Sequence, residues 1–325
     1  AQRPSEGEQA AREAVLRSLR REVRGVFGPA AVVMQFGSAA AGLESAASDL
    51  DLQVSLGPAW ERSPEGGGAS RDAPLWEKQR ILSVLARRLR SLGFRVQTVF
   101  TARVPIIKAT SSGPVKVAVD ISVSHQASMA VLSADVLKTY VEIEPRLKVV
   151  IMLVKTWAKR RAINDGSKGT LNSYSLVLMV IFVAKRLNPP LVPDLFQKVL
   201  PLRGSARAGS KDAETVLSDD ASEKVLNSKG RMVTVSFHSD MEKLHGWGSE
   251  NRQSVGDLLL AFFEHYAREF DWSCPVVPAR ATVTPKARSA ANETTLWVED
   301  WLDPLNNAAR CVSKNGILRV HEEFV

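Results

Sequence analysis

Three aspartates sit inside two short runs that otherwise read as β-strand, and nothing else in the chain narrows its fold so far. The first run, Asp49-Leu50-Asp51-Leu52-Gln53-Val54, alternates polar and apolar residues as a half-buried strand does. The second is Val117-Ala118-Val119-Asp120-Ile121-Ser122. Alternation puts Asp49 and Asp51 side by side on one strand face. An acid in an otherwise apolar strand is costly unless it is paired or metal-bound.

The neighbouring segments supply the rest of a sheet and its covering helices. Residues 31–36 form a β-like run ending at Gly37-Ser38, and 96–100, 104–108 and 115–123 are β-rich, with Gly113-Pro114 as punctuation. Residues 8–26 place Val15, Leu16, Leu19 and Val23 at helical spacing with arginines on the other face, and 76–92 is a second basic amphipathic helix. From Ser133 onward the texture turns helical. Residues 146–162, 173–187 and 254–270 read as helices, the second stopped by Pro189, Pro190 and Pro193. Residues 203–231 are polar and read as a surface insertion or mobile loop. The expected class is α+β, a mixed sheet with helices followed by a mainly helical part.

Composition removes several classes of function. At 325 residues the chain has room for about two domains. Its 45% apolar and 24% charged residues exclude a disordered tail. Forty-three Lys and Arg against thirty-five Asp and Glu leave +8, which favours an anionic partner such as nucleic acid or a nucleotide. Two cysteines, Cys274 and Cys311, cannot build a disulfide framework, a zinc knuckle or an iron–sulfur site. The five histidines are too scattered for a metal-ligand set. The strongest apolar run, 176–184, falls far short of the roughly 18 residues of a spanning helix, so no membrane partner is expected. The chain begins at Ala1 and not at Met, from which we expect a processed or trimmed form, in which any transit segment would already be missing.

Gly37-Ser38 followed by Asp49 and Asp51 is the sharpest constellation. Two carboxylates that close repel unless a divalent cation sits between them, and hard oxygens suit Mg²⁺. With Asp120 from a second strand, the set can hold two ions about 4 Å apart, the arrangement used for in-line nucleotidyl transfer. Gly37 permits close backbone approach to a phosphate, and the Ser38 amide and hydroxyl can hydrogen-bond it. Asp-x-Asp alone is ordinarily a solvated strand edge; the ordered combination with a third acid is what carries information.

Phe36-Gly37-Ser38 with Ser48-Asp49-Leu50-Asp51 resembles the signature of DNA polymerase β-type nucleotidyltransferases. Residues 157–165, then Gly169-Thr170-Leu171-Asn172-Ser173-Tyr174-Ser175, then Leu178-Met179-Val180, resemble the central domain of the noncanonical poly(A)/poly(U) polymerases, most closely the terminal uridylyltransferases. Val298-Glu299-Asp300 through Asn307 and Arg310 resembles their nucleotide-recognition motif. The resemblance runs from about residue 30 to residue 312, with 197–253 unmatched.

The resemblance implies a bilobal enzyme with a catalytic domain at 28–126 and a helical domain from 1–27 and 127–325. Residues 197–253 would be an insertion or bridge, and a cleft between the lobes would take the substrates. Asp49, Asp51 and Asp120 would hold two Mg²⁺ ions, with Mn²⁺ an admissible substitute. Phe36, Gly37, Ser38 and Ser48 would meet the nucleotide phosphates, as would Lys155 and Lys159, four apart on one helix face. Ser173 would bond phosphate and Tyr174 would stack on the base. Asp300 and Asp303 would accept from uracil N3–H, directly or through water. Arg103 and Arg310 would guide the RNA backbone. The implied substrates are UTP and an RNA 3′ end, with an RNA-editing or RNA-processing protein complex as partner. Similarity in length to the minimal uridylyltransferases of trypanosome mitochondria implies mitochondrial residence.

The chain also departs from the pattern. Ser133-Ala134 stands where the family has Asn followed by Ser or Thr to hold the ribose and phosphates, so Ser133 would keep one hydroxyl for the nucleotide and Ala134 none; Asp303 stands where Glu is common, and Trp301-Leu302 where a Pro-aromatic step is usual. Asn306 occupies a position where some uridylyl-selective relatives carry His. Two alternatives therefore stand beside uridylyl transfer: a noncanonical poly(A) polymerase, and an inactive RNA-binding scaffold.

Overall fold

The computed structural model describes residues 4–46, 48–56, 74–102, 104–124, 128–201, 214–216, 222–227, 232–279 and 295–325. The chain divides into two units, Ala1–Asp135 with Lys224–Thr234, and Val136–Glu223 with Val235–Val325.

In the first unit, β-branched residues alternating with polar ones build a five-stranded sheet. Its strands are β1 (Val32–Phe36), β2 (Leu50–Ser55), β3 (Arg95–Val99), β4 (Ile106–Thr110) and β5 (Ala118–Ser124), in the order β1-β2-β5-β4-β3. All neighbours are antiparallel except β2 and β5, so the sheet is mixed as expected. One face is apolar: Leu50, Leu52 and Val54 of β2 and Val119, Ile121 and Val123 of β5 are each at most 2% exposed. They join a single core with Leu19 and Val23 of α1 (Glu6–Phe27) and Ile81, Leu82, Leu85 and Leu89 of α3 (Leu75–Ser91). Helix α2 (Gly37–Ala40) is a single turn after β1.

The placement of α1 corrects the expected grouping of 1–27 with the helical domain. Its apolar stripe has already been claimed by the sheet, and burying Leu19 and Val23 there is worth about 1.5–3 kcal/mol each. Its start is set by a capping box, in which the Ser5 hydroxyl accepts from Glu8 N–H and the Glu8 carboxylate accepts from Ser5 N–H.

The second unit is built on α5 (Pro145–Arg160), α6 (Ser173–Arg186), α8 (Val255–Glu264) and α9 (Lys314–Phe324). Helix α4 (Met129–Ile143) leads into it. An aromatic cluster of Trp157, Phe262, Tyr266 and Phe324 ties α5, α8 and α9 together, with ring centroids 5.0–5.8 Å apart for the pairs Trp157–Phe324, Phe262–Tyr266 and Phe262–Phe324. Helix α6 is buried on nearly all sides, which explains its almost unbroken apolar sequence. Within 197–253, expected as an insertion, the described residues form the short strand pairs β6 (Val199–Pro201) with β7 (Glu214–Val216) and β8 (Ser222–Leu226) with β9 (Met232–Ser236), then the single turn α7 (Met241–Leu244). A last two-stranded pair, β10 (Val276–Val277) with β11 (Trp297–Val298), precedes the loop that carries Asp300. Among the described residues no helix is long and apolar enough to cross a membrane.

Candidate active site

The polar face of the sheet carries Asp51 and Asp120, with Asp49 one residue ahead of β2. In the parallel pair β2/β5, Asp51 lies directly opposite Asp120, and in β4/β5 Lys108 lies opposite Asp120. Asp51 and Asp120 are half-buried, since their strands send Leu50 and Leu52, Val119 and Ile121 to the other face. Asp49 is not itself in the strand, as alternation had suggested, but one residue before it, and is exposed.

Lys108 is the feature that the sequence did not disclose. Its Nζ donates to Asp120 Oδ2 at 2.7 Å. Its pKa is raised, first by this hydrogen bond and then by the charges of Asp120, Asp49 and Asp51, against the opposing effect of burial. A monovalent ammonium thus stands among the three carboxylates. Among the described residues no three acidic, His or Cys side chains are gathered, as they stand, to hold a metal ion, and Asp120 is bonded to Lys108. The donor set nevertheless fits a hard divalent cation: all oxygen, three negative charges, and a cation already drawn to them.

Gly37 has a concrete role. Its φ is +68°, and a Cβ built there would overlap the Asp51 carboxylate. The sequence suggested that glycine here makes room for a phosphate; in the structure the room is taken by Asp51. Phe36 pairs with Asp51 across β1/β2, and Ser38 begins the α2 turn.

The loop before Asp49 is held by Arg12 of α1, a second residue missed. The residue is 9% exposed, and its guanidinium donates to the Ser45, Ala46 and Ser48 carbonyls at 3.2, 3.2 and 2.7 Å, and to Glu44 Oε2 at 3.2 Å. The Ser48 hydroxyl is tied back to Ser45, accepting from its N–H at 2.9 Å. A signal was present: Arg12 stands on the stripe of Leu16, Leu19 and Val23, where an unpaired charge is not tolerated. Ser133, on α4, is only 8% exposed. Arg103 lies outside the described residues.

The second unit holds the remaining predicted residues. Lys155 and Lys159 lie one turn apart on α5, the first half-buried and the second exposed. Ser173 opens α6, whose N-cap Asn172 accepts from Ser175 N–H at 2.8 Å; its own hydroxyl bonds the Asn164 amide at 3.2 Å. Exposed Ser173 at a helix start is a position suited to an anion. Tyr174 is half-buried with its ring edge-on to Trp301 at 5.9 Å, and Trp301 rests on Tyr140 at 5.7 Å.

Asp300 and Asp303 are each 5% exposed. Asp300 Oδ1 accepts from Leu302 and Asp303 N–H at 2.9 and 3.3 Å, and Oδ2 from the Asn306 amide at 3.2 Å. Burial pushes the Asp300 carboxyl up, with the Asp303 charge adding to the effect, while these hydrogen bonds pull it down. Arg310 donates to Asn306 Oδ1 at 3.0 Å, so Asn306 links the acid to the arginine. Asp303 Oδ1 accepts from Leu305 N–H. Beneath this loop, the buried Lys185 ammonium is held by Asp194 Oδ1 at 3.2 Å and the Ala279 carbonyl at 2.8 Å, 5.6 Å from the Tyr140 ring centre.

A β1-turn-β2 unit bearing Gly-Ser and two acids, with a third acid on the adjoining parallel strand, defines the polymerase β-like nucleotidyltransferases. Comparison with known proteins agrees. Residues 1–142 match the central palm domain of the family "Poly(A) RNA polymerase, mitochondrial-like". Over 302 residues, 90% of the chain, it is 32% identical to HESO1 of Arabidopsis thaliana, covering 54% of that protein. Over 319 residues it is 28% identical to the terminal uridylyltransferase cid1 of Schizosaccharomyces pombe, covering 92% of this chain and 68% of that one. Human poly(A) RNA polymerase GLD2 is 28% identical over 228 residues, 69% of this chain and 41% of GLD2. The chain therefore spans about half the length of the first of these relatives. The crystal structure of the Cid1 poly(U) polymerase superposes with a TM-score of 0.75 at 27% identity, over 99% of this chain and 87% of that one. Cid1 has also been solved with its short product ApU, with the UTP analogue UMPNPP and, as a His-to-Asn mutant, with MgATP. The chain thus has the polymerase β-like nucleotidyltransferase fold and is similar to terminal uridylyltransferases and poly(A) RNA polymerases of the noncanonical branch.

Proposed function

We propose that this chain is a template-independent RNA uridylyltransferase: an RNA 3′-hydroxyl attacks the α-phosphate of UTP, extending the RNA by one U and releasing pyrophosphate. The observation that carries the chemistry is the register of Asp51 against Asp120 on one sheet face, with Asp49 adjacent and an ammonium drawn among them. Asp49, Asp51 and Asp120 would hold two Mg²⁺ ions. When bound, such ions acidify the attacking hydroxyl and stabilise the leaving pyrophosphate.

This chain's own residues do the rest. Lys155 and Lys159 neutralise triphosphate charge, and the Ser173 hydroxyl donates to a phosphate oxygen at the start of α6. Tyr174, braced by Trp301, offers a ring face to the base. Asp300 accepts from uracil N3–H, where cytosine presents an acceptor and is repelled. Support for UTP comes from these acids and from the uridylyltransferase cid1 among the relatives.

Asn306 favours a second reading, with ATP as the nucleotide. The resemblance places it where uridylyl-selective relatives carry His, and the Cid1 mutant with MgATP carries the same kind of replacement. Mitochondrial residence belongs to the proposal on the trypanosomal resemblance and the basic charge, and a processing-complex partner on the resemblance. Extension of a labelled single-stranded RNA, with Mg²⁺ and each NTP separately, tests the assignment. Addition with UTP supports it, addition with ATP alone moves the chain to the poly(A) branch, and no addition with any NTP overturns both.

A further inference from the structure

The apolar face of the catalytic sheet is covered by α1 and α3, and the outer sides of those helices are lined with arginine. On α1, Arg17, Arg20, Arg21 and Arg24 recur at spacings of three and four, which sets them on one stripe away from Leu19 and Val23; all four are exposed. On α3, Arg80, Arg87 and Arg88 are exposed in the same way. The two stripes meet at Glu22, whose carboxylate accepts from Arg88 Nε at 2.7 Å and Arg21 Nε at 3.3 Å. Across 17–27 and 75–91, eight arginines and one lysine stand against two glutamates, Glu22 and Glu77. Both glutamates are buried and present little negative charge to solvent.

Charge alone describes a solvated helix face. Two further facts point to a ligand. The cations are almost all arginine, whose planar fork matches phosphate, where lysine would serve solubility equally well. Trp76, at the head of α3, is 53% exposed and has the Arg80 guanidinium 6.0 Å from its ring centre. An indole of that size outside the core, set beside a guanidinium stripe, supplies both elements by which proteins hold single-stranded nucleic acid: a stacking face for a base and forks for the backbone.

We infer that the outer α1–α3 face is a second docking surface for single-stranded RNA, distinct from the site of chemistry. It would take the 5′-ward part of a substrate whose 3′ end is extended on the opposite face of the sheet. The inference rests on RNA being the substrate, and it makes a demand that the catalytic site does not: the surface matters only for an RNA long enough to pass from one face of the sheet to the other.

The test uses short and long fluorescein-labelled single-stranded RNAs. Their binding is read by anisotropy without nucleotide or metal, and their extension is read separately. In the triple variant Arg20→Gln, Arg24→Gln, Arg87→Gln, long RNA should bind about tenfold or more weaker. Its slope of log affinity against log salt should fall by about 2, from three lost phosphate contacts. Short RNA should bind and be extended as by the unaltered chain. Trp76→Ala should weaken long RNA alone, and Trp76→Phe should restore it. Equal effects on both lengths, or on neither, would overturn the inference. So would displacement of long RNA by polyglutamate as readily as by RNA of equal charge, which would mark an acidic-protein surface instead. Failure of short RNA to be extended while long RNA still binds through these arginines would sink the proposed activity and leave the docking surface standing.

Discussion

On the sheet, Asp49 is exposed and Asp51 and Asp120 are half-buried, and the two strand acids owe their places to register. In the second unit Asp300 and Asp303 are 5% exposed and owe theirs to a loop that hydrogen-bonds to itself through Asn306. The first arrangement sets carboxylates beside a single lysine ammonium, Lys108, and suits a group that must bring positive charge. The second nearly saturates one acid with N–H donors and suits recognition by one remaining acceptor direction. The proposed function assigns chemistry to the first and nucleotide choice to the second, and substitutions should divide along that line.

The largest effect is expected from the sheet. Asp51→Ala should lower kcat about a thousandfold or more, with RNA binding by anisotropy unchanged. A variant that extends RNA at the unaltered rate would show that the carboxylates have been misassigned. Next comes the loop: Asp300→Ala should raise KM for UTP about ten- to a hundredfold and flatten the preference among NTPs, with a smaller effect on kcat. If kcat falls and selectivity holds, the division between the regions is wrong.

The pH dependence of the same acid sharpens the contrast. Its carboxyl is raised by burial, so the folded chain holds that proton more tightly than the unfolded chain does. Its contribution to stability is therefore greatest when protonated and is lost as pH rises through the raised value. Binding runs the other way. As pH falls through that value, Asp300 ceases to be a carboxylate acceptor, and KM for UTP should climb at a higher pH than an ordinary aspartate would give. Asp300→Asn should remove the climb; a titration that persists in that variant belongs to another group.

Arg12→Lys should cost roughly tenfold in kcat with KM for UTP nearly constant, because an ammonium cannot bridge three carbonyls and Glu44 together. A purely structural role would instead lower thermal stability without this split. The smallest effect is expected from Lys108→Met. Loss of the ammonium removes the cation bonded to Asp120, which lies opposite Asp51 in register, but the lysine side chain is 49% exposed and solvent screens the pair. The melting temperature should fall by about 2–4 °C without metal, with Mg²⁺ restoring it. A drop that Mg²⁺ does not reverse would argue that Lys108 does not occupy the cation's place.

Much of the catalytic sheet was legible because strand period and acid placement are local. The runs at 31–36, 49–54 and 115–123 became β1, β2 and β5, and the amphipathic stripes at 8–26 and 76–92 became α1 and α3. The Gly37-Ser38 and Asp-x-Asp motifs were likewise readable within a few residues. What a helix packs against is not local, and so α1 was grouped with the wrong unit: its apolar stripe fits any core, and only the sheet's unfilled face chose it.

The side-chain bonds that shape the site were beyond reach for the same reason. Lys108 and Asp120 are twelve residues apart in sequence but opposite one another in register, and Arg12 reaches a loop more than thirty residues away. Asp300 shows the limit from the other side. Its type and its motif were visible, but burial among Leu302, Asp303 and Asn306, which sets its proton affinity, arises only when the loop closes. Sequence alone determined which residue types stand at which period, and with them the strands, the helices and the acids. Tertiary structure decided which charges face each other and how much water they keep, because electrostatic energy depends on separation and solvation and neither is encoded in spacing along the chain.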